Sequence, residues 1–214
     1  MPLSGSDPAV DHLAAIDPVM RRCIEDIGPC TLQPNVRRSP FESLVRAIAH
    51  QQLHGKAAES ILARFIALFP GRKFPRPDDL LTVNANSLRA VGFSSSKVLA
   101  LRDLAEKTLN GTVPTSRVIR QLEDGEIIER LIEVRGIGRW TVEMLLIFQL
   151  GRPDVLPVDD FGVRNGFRIV YRRRSMPTPK QVFQYGERWK PYRTVAAWYL
   201  WRAADRDKQA KQVL

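Results

Sequence analysis

Two short segments hold the residue types and spacings most able to do chemistry. The first is LIEVRGIGRWTVEMLL (131–146), in which Gly136 and Gly138 flank Ile137 and amphipathic stretches lie on both sides. Two such glycines permit a tight turn with positive φ and let an anion approach the main chain closely. The helix that follows opens with N–H groups lacking intrahelical acceptors, which attract negative charge such as a phosphate. Ile137 would pin the hairpin to a core. A plain helix–turn–helix corner explains the same pattern if the glycines stand alone. The second segment is GRPDVLPVDDFGVR (151–164). Pro157 ends any preceding helix, and the paired aspartates open a new one. Asp159 fits the N-cap, which places Asp160 where the helix dipole favours an ionised carboxylate. Simple capping by both aspartates is the competing explanation.

The elements that must position these residues are helical nearly throughout. Phe41, Leu44, Val45 and Ile48 share one helix face, as do Ile61, Phe65, Ile66 and Phe69 before Pro70-Gly71. Val98, Leu101, Leu104 and Ala105 mark another helix, closed by Asn110-Gly111. Further helices are expected over 125–134, 139–150, 160–172, 179–189 and 192–205. Breaks at 70–77, 92, 111–114 and 174–179 read as loops between packed helices. No alternating run bounded by hairpin turns appears, so the expected fold is all-α, with two helical lobes and an active-site cleft between them. Residues 1–8 read as a flexible tail and 9–214 as one domain of two interleaved helical subdomains.

Bulk properties narrow the partners. The 214 residues include 33 Lys plus Arg against 23 Asp plus Glu, a formal net charge of +10. Such a surplus suits a polyanion, because each neutralised phosphate releases condensed counterions. Cys23 and Cys30 are the only cysteines and His12, His50 and His54 the only histidines. That set builds no metal-ligand cluster and fits unpaired thiols in a reducing compartment. There is neither a signal-peptide pattern nor an apolar run near 18 residues, so no membrane association is expected.

Five stretches in this order, PFESLVRAIAHQQLHGKAA (40–58), VGFSSSKVLALRDLA (91–105), VRGIGRWTVEMLL (134–146), GRPDVLPVDDFGVRNG (151–166) and ERWKPYRTVAAWYLW (187–201), resemble the helix-hairpin-helix-GPD superfamily of DNA glycosylases, most closely its DNA-3-methyladenine glycosylase II branch. The resemblance covers about residues 35–204. It implies a monofunctional glycosylase that flips alkylated purines out of duplex DNA and hydrolyses the N-glycosidic bond, in base excision repair. Its partner would be double-stranded DNA containing alkylated bases, and a monomer located in the cytoplasm with the nucleoid, or in a nucleus, is expected.

By the same resemblance the catalytic carboxylate is Asp160. Cleaving the glycosidic bond builds positive charge on the sugar, which a fixed anion stabilises. The carboxylate can also take a proton from the attacking water. Relatives of the endonuclease III type carry a Schiff-base lysine where Trp140 stands, together with a four-cysteine cluster motif that is missing here, so lyase activity is not expected. Trp201 and Trp140 are expected to line the base pocket with Met144, their electron-rich faces attracting a cationic base. The alternative for each tryptophan is core packing.

The resemblance also assigns DNA contacts. Gln52 aligns with the wedge that fills the gap left by an extruded nucleotide, Leu53 lies beside it, and His54 would enter the minor groove. Gly136, Ile137, Gly138, Arg139 and Thr141 would meet phosphates, Thr141 through its hydroxyl, and Lys97 is a further phosphate ligand. Arg164, Arg168 and Arg172 form a helical stripe whose facing stays open. No cofactor or catalytic metal is implied, although hairpin carbonyls would hold a monovalent cation when DNA is bound. Two other functions compete: a glycosylase for a different lesion class, which would need donors and acceptors matched to a neutral base, and a non-catalytic DNA-binding module, which would have no need of an acid at position 160.

Overall fold

The computed structural model describes residues 7–53 and 55–212. The described residues form twelve α-helices and contain no strand. In order these are α1 (Pro8–Ile16), α2 (Pro18–Ile27), α3 (Pro40–His50), α4 (Gly55–Ala67), α5 (Pro77–Thr82), α6 (Ala85–Ala90), α7 (Ser95–Leu109), α8 (Asp124–Leu131), α9 (Arg139–Leu145), α10 (Phe161–Val170), α11 (Pro179–Gly186) and α12 (Arg193–Gln212). A π-helical turn, Leu146–Leu150, continues α9, and a 3-10 turn, Glu187–Trp189, follows α11. The chain forms two compact units. One takes the residues up to Pro34 and those from Leu146 onward; the other is Asn35–Leu145.

Helix starts are written in side-chain oxygens that accept otherwise unpartnered N–H groups. Asp7, Asp17, Ser39, Ser94 and Thr178 cap α1, α2, α3, α7 and α11, and in four of these a proline with pre-set φ follows at the first helical position. Helices α1, α2, α5 and α6 were not among those expected from apolar spacing, and α1 begins inside the stretch read as a tail. The Asp-Pro pairs at 7–8 and 17–18 are the signals that mark the first two. The expected helix over 125–134 stops at Leu131, because the Gly136 turn closes directly behind it.

The Asn35–Leu145 unit packs around aromatic rings. Phe65 meets Phe69, Phe74 and Phe93 edge-on at centroid distances of 5.5, 6.1 and 5.5 Å. Such edge-to-face pairs favour one arrangement over a fluid apolar cluster. Leu44, Val45 and Ile48 of α3 are buried, as their spacing requires.

The other unit is organised around a buried carboxylate. Asp17, 1% exposed, caps α2 with Oδ1 and accepts with Oδ2 from Tyr171 (2.7 Å), Trp189 (3.0 Å) and Tyr185 (3.3 Å). Burial pushes the Asp17 carboxyl upward, but the donors Trp189 and Tyr171 and the Met20 and Val19 N–H groups outweigh it and leave the group below its ordinary value. Helices α10 and α12 touch at Gly166, where a Cβ would lie 2.0 Å from the Leu200 carbonyl oxygen. Only glycine permits that approach. Both cysteines are free thiols.

Candidate active site

Asp160 stands at the start of α10, one place later in its role than the sequence suggests. It is Asp160, not Asp159, that caps the helix: Oδ1 accepts the Val163 N–H at 2.8 Å. The shift follows from the backbone, since the Asp160 N–H bonds back to Pro157 O (3.1 Å) in a turn that delays the helix by one residue. The same Oδ1 accepts the indole N–H of Trp201, on α12, at 2.8 Å. Two N–H donors therefore converge on one oxygen of a half-buried carboxylate and fix its direction.

Gly162 makes this approach possible. A Cβ there would lie 2.8 Å from Trp201 Cδ1 and 3.1 Å from Asp160 Oδ1. Against the indole lies Phe148, with ring centroids 5.6 Å apart and planes inclined by 26°. Phe148 belongs to the π turn, where one extra residue per turn re-aims a side chain relative to a continuous α-helix. Its neighbours Leu146, Ile147 and Gln149 are buried, whereas Phe148 is exposed. Phe161, directly after Asp160, is 69% exposed, which is a solvent-facing aromatic ring with no packing role to explain it. Phe148, Phe161 and Gly162 were not singled out in the sequence; the helix expected over 139–150 concealed the π turn that sets Phe148 outward.

Trp140 and Met144 sit on α9, in the other unit. Trp140 is 48% exposed and Met144 partly buried, so Trp140 is not a core tryptophan of the kind Trp189 is. Arg139 is exposed and pairs with the buried Glu143 at 3.0 Å. Gly136 has φ 77°, the left-handed turn its identity suggests, and Ile137 is buried. A Cβ on Gly138 would meet nothing within 4 Å, so packing does not demand glycine there. Open main chain at that point is what a close-approaching phosphate requires.

Two of the residues expected at phosphates have other surroundings in this structure. Thr141 is 8% exposed, and burial withdraws its side chain from the surface. Lys97 points its ammonium at main-chain carbonyls, Gln51 O at 2.8 Å and Ala49 O at 2.9 Å, where the last turn of α3 leaves acceptors unsatisfied. The arginine stripe is likewise divided: Arg164 donates to Pro177 O and Arg168 to Asn165 Oδ1.

The turn after α3 is exposed at Gln52 and Leu53; the expectation for His54 lies outside the described residues. Gln51, which the sequence did not single out, reaches across to the hairpin and donates from Nε2 to Gly136 O at 2.8 Å. The 134–138 hairpin is further held from α7, where Asp103 Oδ2 accepts the Arg135 N–H at 2.7 Å and Lys107 donates to Glu133 O.

A glycine hairpin feeding one helix, followed by a carboxylate-capped helix, is the pattern of one family, and its model matches residues 45–191: the HhH-GPD superfamily of base excision DNA repair proteins. The chain belongs to this superfamily. Among its HhH-GPD relatives, DNA-3-methyladenine glycosylase 1 of Schizosaccharomyces pombe is 42% identical over 196 residues, 90% of this chain and 85% of that protein. A solved S. pombe 3-methyladenine DNA glycosylase in complex with abasic DNA superposes with a TM-score of 0.81 at 42% identity, over 92% of this chain and 96% of the other. A DNA-3-methyladenine glycosidase from Bacillus halodurans gives 0.87 at 35% identity, over 98% and 95%. No described helix is long and apolar enough to cross a membrane.

Proposed function

We propose that this HhH-GPD protein is a monofunctional DNA glycosylase that excises alkylated purines from duplex DNA, with Asp160 as the catalytic carboxylate. The observation that carries the reading is the fixed Asp160 carboxylate beside the stacked Trp201–Phe148 pair, with the second aspartate of the Asp-Asp pair, rather than the first, oriented by two N–H donors. The names of the relatives point the same way.

The chemistry runs in one displacement. A cationic alkylated purine leaves with the electron pair of its bond to C1′ and becomes neutral, so no strong acid is needed on the leaving group. Positive charge grows on the sugar and is stabilised by the Asp160 carboxylate, at low cost because the dipoles around it are already aligned. Water oxygen adds to C1′, and its proton passes to the carboxylate. The electron-rich faces of Trp201 and Phe148 favour a cationic ring by about 0.5–2 kcal/mol per contact.

Trp140 has no amine to attack C1′, so the backbone is not nicked through a Schiff base. Main-chain carbonyls of the hairpin would hold a monovalent cation when DNA is bound, and the cation would supply neutralising charge there. The setting is that of a monomeric repair enzyme acting where genomic DNA resides.

Incubation of the protein with methylated duplex DNA, followed by chromatography of released bases and a denaturing gel, tests the reading. Free 3-methyladenine or 7-methylguanine with no strand breaks before alkaline treatment is expected. Release of neutral deaminated or oxidised bases alone would overturn the substrate class, and breaks without alkali the monofunctional assignment.

A further inference from the structure

The turn joining α3 to α4 adopts a main-chain conformation that its sequence does not favour. Gln51 has φ −54° and ψ 127°, Gln52 has φ 57°, and the Leu53 N–H closes on His50 O at 3.2 Å. These are the marks of a type II turn, whose third residue is normally glycine because positive φ crowds a Cβ against the main chain. Here that place is held by Gln52. The type I alternative suits any residue and differs chiefly by rotation of the peptide between the two central residues, which carries the Gln51 carbonyl to the opposite side.

Two contacts oppose that rotation. Lys97 Nζ donates to the Gln51 carbonyl itself at 2.8 Å and braces on Ala49 O at 2.9 Å. The Gln51 side chain donates to Gly136 O at 2.8 Å. One residue is therefore anchored by its carbonyl to the head of α7 and by its amide to the glycine hairpin. A residue in a sparsely populated conformation persists only where its surroundings over-determine it, and such sites gather where function needs them.

We infer that Gln51 and Lys97 are positioning residues that hold the Gln51–Gln52 peptide in its type II orientation, aiming the Gln52 side chain into the duplex while the 136–138 hairpin grips the backbone. The inference rests on the base-flipping reading above and adds to it a mechanical link: grip and wedge share one hydrogen bond. Lys97, with its ammonium on carbonyls, acts on the turn and not on a phosphate. Loss of either anchor frees the peptide to rotate and slows extrusion of the nucleotide, with little effect on phosphate contacts.

The test compares Gln51→Glu, which keeps the shape but turns an acceptor toward the Gly136 carbonyl, and Lys97→Met with wild type. Single-turnover base release is measured on one 7-methylguanine lesion placed either in a normal pair or in a single-nucleotide bulge, where extrusion is already largely complete. Thermal melting checks folding, and Gln51→Ala replaces the glutamate variant if that one melts early. Expected are undamaged-duplex affinities within about twofold of wild type, release from the paired site slowed about tenfold, and near-complete recovery on the bulge. 2-Aminopurine beside the paired lesion should brighten less than with wild type. Equal slowing in both contexts would overturn the link to extrusion, and so would wild-type rates at the paired site. A wild-type protein that released base from neither substrate would instead overturn the glycosylase reading on which the inference stands.

Discussion

Asp160 Oδ1 and Trp201 Nε1 lie 2.8 Å apart, joining the first residue before α10 to the middle of α12. The bond orients a carboxylate and an aromatic face at once, because the indole that donates it also stacks on Phe148. In the function proposed above, charge stabilisation and recognition of a flat cationic ring would thereby share one side chain.

Asp160→Asn keeps an oxygen able to accept both N–H bonds and removes only the charge. Base release from methylated DNA in single-turnover assays should fall by about 10²-fold or more, the usual scale for losing a preorganised electrostatic group. Affinity for an abasic-site analogue duplex, measured by fluorescence anisotropy, should change by less than about threefold. Retained release at wild-type rate would remove Asp160 from the reaction.

Gly162→Ala inserts a methyl where the nearest indole atom is 2.8 Å away. Alanine is a better helix former than glycine, so α10 itself gains slightly while the overpacked contact costs about 1–3 kcal/mol. Release should drop at least tenfold with a modest fall in melting temperature. A variant of undiminished activity would show that the Trp201–Asp160 bond is dispensable.

Gln52→Gly places the favoured residue in the type II turn and deletes the wedge. Stability should hold or rise by a few tenths of a kcal/mol, offset by the added freedom of the unfolded chain. Release from a paired lesion should nonetheless fall steeply. Rising melting temperature together with falling activity is the signature sought, and a variant as active as wild type would dismiss Gln52 as the wedge.

Asp17 makes stability pH-dependent. Its folded value is depressed, so the native state binds fewer protons than the unfolded chain. The stabilisation is full above the unfolded value of about 3.9 and is lost as pH falls through the lower folded value. Asp17→Asn should lower stability by about 1.5–3 kcal/mol at neutral pH, as expected for charge-assisted bonds from Tyr171 and Trp189. In acid below about pH 4 the gap between the two melting curves should narrow. A gap that stayed constant from pH 7 to pH 2.5 would refute the charge-based account.

Much of this could be read before any coordinates, and the parts that could not have physical reasons. The helices with strong apolar periodicity, α3, α4 and α7, were evident because one face of each is buried. The 136–138 hairpin was evident because glycine spacing encodes the turn directly. Helices α1 and α2 escaped notice because their starts are encoded in Asp-Pro caps and not in stripes. Phe148 escaped because a π turn has no residue signature of its own. Lys97 reads in the sequence as a phosphate ligand, and its bonds to the turn, like that of Gln51 to the hairpin, have no sequence signal: both side chains donate to main-chain carbonyls, and a carbonyl leaves no letter in the sequence.

The glycine at 166 reaches further than its own neighbourhood. Gly166 makes no contact with Asp160 in the sequence of bonds described above, yet the carboxylate rides at one end of α10 and the indole that orients it projects from α12, one residue beyond Leu200. The spacing of those two rods is decided where hydrogen takes the place of a methyl, so any larger substituent there acts as a shim, prying the acid from its indole without touching either. In the function proposed above, loss of repair chemistry would therefore originate from a position outside the reacting pair.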